Sequence, residues 1–290
     1  MKKTYIAAIC TLFFVFLGNL ELLADNKLTW YRPDFPPYII LEGPNKANGI
    51  DNQTEDHLIK RLPEYEHSFK VANYERILND LEDQTNGVVS PLFKTPEREK
   101  FLLFPDLPSY LILPNGLIFS RKNKAKFQPF LLDNGMLDIE ALSKSKNIKI
   151  GITAGRAYTS IIDEVIAKYK DSGIFYKRSG IKETGVLEMV LNGRIDAAFG
   201  VPVELKASGF DTELELLRIS KMSPYIPIYF GVTKNEWGRT LIGKINKILR
   251  EKGTLVTFHK YYEYWLTESD KKYYRKYLDE YYTGKADITP

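Results

Sequence analysis

The sequence has few of the residues that carry covalent or metal chemistry. Its 290 residues include 1 Cys and 3 His. A single Cys excludes an intrachain disulfide and a cysteine-cluster metal site, and scattered His argue against a histidine-rich zinc site. The chain also contains no Gly-x-Ser-x-Gly nucleophile motif and no phosphate-binding glycine loop. We therefore expect no metal and no cofactor, and an enzyme is the least favoured class.

The chain also lacks a large excess of charge of one sign. The chain carries 41 Lys+Arg against 37 Asp+Glu, a net charge of +4, whereas a nucleic-acid-binding protein concentrates basic residues on one face. Hydrophobic residues make up 44% and charged residues 27% of the chain, which is typical of a globular protein. The length suits one large domain or two modest ones.

The N-terminus is typical of a secretory signal peptide. Lys2 and Lys3 precede a short apolar run from Ile6 to Leu17, and a basic start followed by such a run characterises a cleaved leader. The run is shorter than the ~20 apolar residues of a spanning helix, so an uncleaved anchor is the alternative. We expect residues 1–24 to be removed after Ala24, together with the only Cys, and the mature protein to reach the periplasm.

Strand-like and helix-like segments alternate along the rest of the chain. The first series includes strands near Leu28–Arg32 and Gly87–Ser90, and the Thr95-Pro-Glu-Arg98 signal opens a helix. A second series begins near Ile148. Such alternation predicts an α/β protein with parallel strands. Because the pattern occurs twice, we expect two lobes, 27–119 with 229–290 and 120–228, with the basic segment Arg121–Lys126 at a crossing between them.

The C-terminal segment is rich in tyrosine. Beyond Lys260 the chain contains Tyr261, Tyr262, Tyr264, Tyr273, Tyr274, Tyr277, Tyr281 and Tyr282. We interpret this segment as helices that pack their tyrosines against the protein, with a partner-binding surface as the alternative.

Several segments, in this order, resemble the type II periplasmic solute-binding proteins, in the group of polar amino-acid receptors of ABC importers. They are the aromatic turn Tyr31–Tyr38, the helix start Tyr74–Leu78, the stretches Asn86–Arg98 and Phe104–Tyr110, and in the second half Ile150–Gly155 and Leu191–Gly200.

The resemblance implies two α/β lobes joined by a two-strand hinge, with a small-molecule ligand held in the cleft. Hinge closure around the ligand then creates the form that an inner-membrane ABC permease recognises. It also implies a monomer that binds no nucleic acid. A periplasmic sensor or accessory module of the same fold remains the alternative.

The resemblance places three ligand-binding candidates in one segment of the first lobe. Arg98 matches the arginine that pairs with a ligand carboxylate, a role that suits the forked guanidinium; its alternative is a surface ion pair with Glu97 or Glu99. Ser90 ends a strand at the expected cleft, or is an ordinary strand-end serine. Phe93 stands where the family often has a small polar residue, which makes the pocket smaller or more apolar.

Aromatic residues form a second group of candidates. Phe35 and Tyr74 match positions that contact ligand in the family, and Tyr38 lies nearby in the same turn. Aromatic rings offer large contact areas with little side-chain entropy to lose. The alternative for all three is packing in the core.

The second lobe departs from the family pattern at two points. Gly155, Arg156 and Tyr158 begin a helix where the family often has Ser or Thr, so Arg156 either adds a second cationic contact or faces solvent. Val201 stands where amino-acid receptors usually hold the ligand ammonium with an Asp, and Glu204 lies one turn further on. A buried ammonium without a counter-charge is costly, so we expect an anionic ligand with no obligatory ammonium.

Overall fold

The computed structural model describes residues 26–180, 182 and 185–283. The predicted signal peptide, residues 1–24, lies outside these ranges. Within them, no helix has the length and apolar character needed to cross a bilayer. The strands are β1 Lys27–Arg32, β2 Glu66–Val71, β3 Gly87–Leu92, β4 Leu102–Leu103, β5 Tyr110–Ile112, β6 Gly116–Ser120, β7 Ile150–Thr153, β8 Phe175–Arg178, β9 Ala197–Gly200, β10 Leu214–Arg218 and β11 Ile226–Thr233. The α-helices are α1 Ile50–Ile59, α2 Tyr74–Glu82, α3 Ile139–Ser145, α4 Ser160–Lys168, α5 Gly185–Leu191, α6 Pro202–Ser208, α7 Glu236–Leu249, α8 Thr254–Tyr264 and α9 Glu268–Thr283.

The strands form two separate sheets, which confirms the predicted α/β fold class. The first sheet has the order β2-β1-β3-β11-β4, with β5 paired to β11, and the second has the order β10-β6-β9-β7-β8. Each sheet contains three parallel strands: β1 pairs with β2 and β3 in the first sheet, and β7 pairs with β8 and β9 in the second. The later β11 and the early β6 run antiparallel to their neighbours.

The chain crosses between the sheets at 113–115 and again at 219–225. The predicted crossing at Arg121–Lys126 is wrong, because this segment forms an exposed 3₁₀ turn after β6. Its charges pair within the second half of the chain, where Arg121 and Lys124 both contact Glu215. Strand β6 starts at Gly116 and β11 at Ile226, so the sheets divide the chain a few residues from the predicted lobe boundaries.

The helix predicted from Thr95 is also wrong, since the chain forms only one 3₁₀ turn at Arg98–Lys100. Strand β4 begins at Leu102, which pairs with Thr233 of β11, so no length remains for a longer helix. The predicted helix after Ala72 is present, and Asn73 caps it by accepting a hydrogen bond from the backbone N–H of Arg76 at 2.9 Å.

The C-terminal tyrosines pack as predicted. Tyr262, Tyr274, Tyr281 and Tyr282 are buried, whereas Tyr264 is 72% exposed. The hydroxyl of Tyr262 accepts a hydrogen bond from the backbone N–H of Leu113 at 2.9 Å, and that of Tyr274 donates to the carbonyl of Leu111 at 2.8 Å. Helices α8 and α9 therefore support the first crossing between the sheets.

Candidate functional site: a closed cleft between the two sheets

A small cavity lies between the parts of the chain that carry the two sheets. It encloses about 30 Å³, which has room for water but not for an amino acid. Seven of the residues predicted from the sequence line it: Phe35, Tyr38, Tyr74, Phe93, Arg98, Arg156 and Val201. The other lining residues are Pro91, Ile112, Ala157, Glu204 and Ile228.

The predicted aromatic residues form one wall of this cavity. The ring of Phe35 lies 4.8 Å from that of Tyr38 and 6.1 Å from that of Tyr74, measured between centroids. The Tyr74 hydroxyl donates to the carbonyl of Pro91 at 2.9 Å. The buried Tyr38 hydroxyl has no hydrogen-bond partner among the described residues, and burial raises its pKa well above the usual value. Tyr38 therefore offers a neutral hydroxyl to the cavity.

Arg98 reaches from the first-sheet side to the other side of the cleft. Its guanidinium donates to the carbonyl of Phe93 at 2.9 Å and to that of Gly155 at 3.1 Å. Arg98 is only 7% exposed, and burial lowers its pKa. No carboxylate of the described ranges lies within ion-pair distance of it. The alternative of a surface pair is excluded for Glu99, which instead contacts Lys94 at 3.1 Å.

Arg156 also points into the cleft and does not face solvent. Its guanidinium binds the Glu204 carboxylate through two hydrogen bonds, one of them 3.0 Å long. The side chains of Arg156 and Glu204 are 8% and 2% exposed. The centre of the guanidinium lies 4.9 Å from the ring centroid of Phe35 and 5.0 Å from that of Tyr158. The predicted cationic contact is thus already neutralised by an acid of the chain.

Glu204 was not among the ligand-binding residues predicted from the sequence. It lies one helical turn beyond Val201, the position where the family usually has an acid. Val201 precedes α6 and is 1% exposed, whereas Glu204 occupies the first turn of α6 and lines the same cavity. Its spacing from Val201 was the only signal in the sequence.

Three predicted residues do not line the cavity. The Ser90 hydroxyl donates to the carboxylate of Asp51, which also accepts a 2.6 Å hydrogen bond from Tyr110. Tyr158 belongs to the core below the second sheet, and its hydroxyl accepts from the N–H of Thr153 at 2.9 Å. Gly155 contributes its backbone carbonyl, which accepts a hydrogen bond from the Arg98 guanidinium. Gly155 and Tyr158 line an adjoining open groove of about 1180 Å³, which also includes Arg98 and Arg156.

The carboxyl of Asp51 is a further buried acid near the cavity. The residue is fully buried, and burial raises its pKa to about 7 despite the hydrogen bonds from Ser90 and Tyr110, which lower it. Its acceptor oxygens are therefore directed at two hydroxyls of the first-sheet core and not at Arg98.

Backbone contacts bring the two sides of the cleft very close at Gly155. This residue has φ +75, and a Cβ there would lie 2.6 Å from the backbone nitrogen of Glu75 at the start of α2. The Glu75 carboxylate contacts Lys177 at 3.5 Å and the Ser179 hydroxyl at 3.4 Å. Asp34 forms an isolated β-bridge with Lys182. These contacts describe a closed cleft.

A curated protein with a similar sequence is a receptor for a solute. The chain is 26% identical over 223 residues to the L-cystine-binding protein TcyK of Bacillus subtilis (strain 168), a match that covers 75% of this chain and 74% of that protein.

Solved structures show the same fold at lower identity. A putative L-cystine ABC transporter from Listeria monocytogenes matches with a TM-score of 0.63 and 20% identity over 84% of this chain and 96% of that one. An ancestral arginine-binding protein bound to arginine matches with a TM-score of 0.61 and 20% identity over 83% of this chain and 99% of that one. These neighbours confirm the two-lobed architecture.

The sequence itself carries the family assignment. The model of the bacterial extracellular solute-binding proteins, family 3, matches residues 29–268. That range includes both sheets, apart from the first two residues of β1, and every residue that lines the cavity. The chain belongs to family 3 of the bacterial extracellular solute-binding proteins.

Proposed function

We propose that this solute-binding protein captures a small carboxylate-bearing solute between two lobes and delivers it to an ABC importer. The lobes correspond to the predicted ranges 27–119 with 229–290 and 120–228, with their limits moved to the crossings at 113–115 and 219–225. The observation that carries the proposal is the buried guanidinium of Arg98, whose hydrogen bonds within the described part of the chain go only to neutral carbonyls.

The balance of charge in the cavity favours an anion. Arg156 and Glu204 form an ion pair and cancel each other, so Arg98 leaves the lining with one positive charge. A buried charge without a counter-ion is costly. A ligand carboxylate would give the Arg98 guanidinium an oppositely charged acceptor, which can accept two parallel hydrogen bonds and offset the cost of burying the positive charge. The ligand would therefore gain most from Arg98.

The same lining is poorly suited to an ammonium group. Val201 offers no charge, and the Glu204 carboxylate is bonded to Arg156. We infer a ligand with a carboxylate or another anionic group and no obligatory ammonium. Since cystine and arginine are named for similar proteins, these two amino acids belong in any ligand panel beside simple mono- and dicarboxylates.

The ligand test has two stages. Native mass spectrometry of freshly purified protein reports a co-purified solute, and calorimetry and thermal unfolding then rank the panel. A ligand at 100 times its Kd should stabilise the protein by about 2.7 kcal/mol. Arg98→Ala should abolish this gain, and Arg98→Lys should retain only part of it, because lysine lacks the planar fork.

The matched control is Arg61→Ala, which removes a half-exposed arginine whose partner is Glu251. This variant should keep the full ligand-induced stabilisation. An equal rise in melting temperature in Arg98→Ala and the unchanged protein would reject Arg98 as the carboxylate clamp. Submicromolar binding of a common amino acid by the unchanged protein would reject the inferred ligand class.

Export and delivery to a permease are further parts of the proposal. N-terminal sequencing of the secreted protein should begin at Asp25, and light scattering should report a monomer. If the protein serves transport, its liganded form should stimulate the ATPase of a reconstituted cognate importer. A sensor or accessory module would bind ligand equally well but leave that ATPase unchanged. We propose no catalytic step.

A further inference from the structure

The surroundings of Arg156 are those of a bound guanidinium ligand. The Glu204 carboxylate accepts two hydrogen bonds from it, and two aromatic rings, Phe35 and Tyr158, lie within about 5 Å of its centre. A carboxylate fork and aromatic faces are the groups that recognise a planar cation. The group they hold here belongs to the protein itself.

This guanidinium site is assembled from both sides of the cleft. Phe35 packs in the core cluster of the first sheet, whereas Arg156 follows β7 of the second sheet and Glu204 lies on α6. The Arg156 side chain therefore spans the cavity, and the space left beside it is about 30 Å³. It fills volume that a ligand would otherwise use.

The geometry points to Arg156 as an internal occupant that determines specificity: it holds Glu204 and thereby excludes cationic solutes from the cleft. This inference rests on the proposed function as a solute receptor. A side chain tethered beside its partner has an effective concentration in the millimolar range or above. A dissolved cation at micromolar concentration therefore does not displace it.

The inference predicts that removing Arg156 creates a receptor for guanidinium compounds. In Arg156→Ala, the Glu204 carboxylate and the Phe35 ring should bind methylguanidinium, and L-arginine should bind more tightly still because its carboxylate can reach Arg98. We expect at least a tenfold gain in affinity over the unchanged protein for both probes, measured by calorimetry and by thermal unfolding.

Two further variants identify the cause of that gain. Arg156→Ala with Glu204→Gln should lose it, because the carboxylate that holds the cation is gone. Arg194→Ala, which removes an exposed arginine of the same half of the chain, should bind neither probe. Arg156→Gln serves as a second variant if Arg156→Ala does not fold, since its amide can still donate to Glu204 without carrying a charge.

The outcomes separate this inference from the proposed function. The inference fails if the unchanged protein binds methylguanidinium as tightly as the folded Arg156 variants do, or if the gain survives Glu204→Gln. Methylguanidinium has no carboxylate, so its binding does not depend on Arg98. If the unchanged protein bound none of the carboxylates in the panel, the proposed role of Arg98 would be contradicted. The methylguanidinium result would still stand.

Discussion

Two buried arginines face each other across the cleft, and their partners differ in kind. Among the described residues, the guanidinium of Arg98, on the first-sheet side, donates only to the neutral carbonyls of Phe93 and Gly155. Arg156, on the second-sheet side, binds the Glu204 carboxylate. Both side chains are over nine-tenths buried. One side of the cavity therefore carries a guanidinium with no described carboxylate within ion-pair distance, while the guanidinium on the other side is paired with Glu204.

This difference assigns different roles to the two sides. A buried guanidinium that has only carbonyl partners gains much from an anion, because a charged acceptor strengthens its hydrogen bonds. A guanidinium already bonded to a carboxylate has little to gain from a second one. Ligand recognition should therefore depend on Arg98, and the stability of the second-sheet side should depend on the Arg156–Glu204 pair.

The largest expected effect comes from breaking the complete pair. Glu204→Ala leaves Arg156 without its carboxylate in a buried site, which should lower the free energy of unfolding by about 3–5 kcal/mol. Replacing both residues, as in Arg156→Leu with Glu204→Leu, should cost much less, since a buried ion pair is often no more stabilising than apolar side chains. Urea denaturation measures the free energy of unfolding of the unchanged protein, of Glu204→Ala and of the double variant.

The control for this prediction is an exposed ion pair of the same type. Arg61 contacts Glu251 at 2.8 Å with both side chains about 40% exposed, so Glu251→Ala should cost less than about 1 kcal/mol. If Glu204→Ala cost no more than Glu251→Ala, the second-sheet side would not be held by its ion pair.

A pH titration examines the buried acid on the side of Arg98. Burial raises the pKa of Asp51 from the usual 3.8 to about 7 in the folded protein, so between these pH values the folded state holds a proton that the unfolded chain releases. This contribution to stability is present below about pH 4 and is lost as the pH rises to about 7, with a slope of at most about 1.4 kcal/mol per pH unit.

Asp51→Asn should remove this part of the pH dependence. Glu55, on the next turn of α1, has its pKa raised to about 8 by burial, although its ion pair with Arg32 lowers it, so a comparable decline in the same direction should remain. Asn134→Ala, at an exposed residue with no titratable group, should leave the profile unchanged. An unaltered slope in Asp51→Asn would show that Asp51 is ionised and that the first-sheet side is less positive than inferred.

The close approach at Gly155 tests how tightly the two sides meet. Gly155→Ala adds a Cβ 2.6 Å from a backbone nitrogen at a residue with φ +75. Gly173→Ala has nearly the same φ, +79, but open space around the new atom. Each should lose about 1–2 kcal/mol to backbone strain, and only Gly155→Ala should also open the cleft, seen as a larger radius of gyration in X-ray scattering. Equal radii in the two variants would mean that Gly155 does not limit closure.

The sequence alone predicted the fold class and most of the residues that line the cavity. The alternation of strands and helices predicted two α/β units, and the segment around Arg98 and the turn around Phe35 both lie at the cavity. These features are local patterns, which can be recognised in one sequence without knowledge of distant contacts. Whether Arg98 and Phe35 bind a ligand remains a prediction.

The rest depends on contacts between distant residues. Arg156 and Glu204 are 48 positions apart, and no local pattern joins them. Ser90 lies in β3, which is buried along its whole length, so no alternation of burial shows which way its side chain points. The turn at Arg98 is short because Leu102 must pair with β11, a constraint that the helix signal at Thr95 does not contain.

The smallest effect is expected at the exposed contact between the two sides. Lys177 and Glu75 lie 3.5 Å apart with side chains 58% and 46% exposed, and such pairs contribute about 0–1 kcal/mol, less in salt. Lys177→Ala should change neither the radius of gyration nor the unfolding free energy by a measurable amount at physiological salt. If it opened the cleft as far as Gly155→Ala does, closure would depend on this exposed contact at the rim and not on the close approach of the two sides at Gly155.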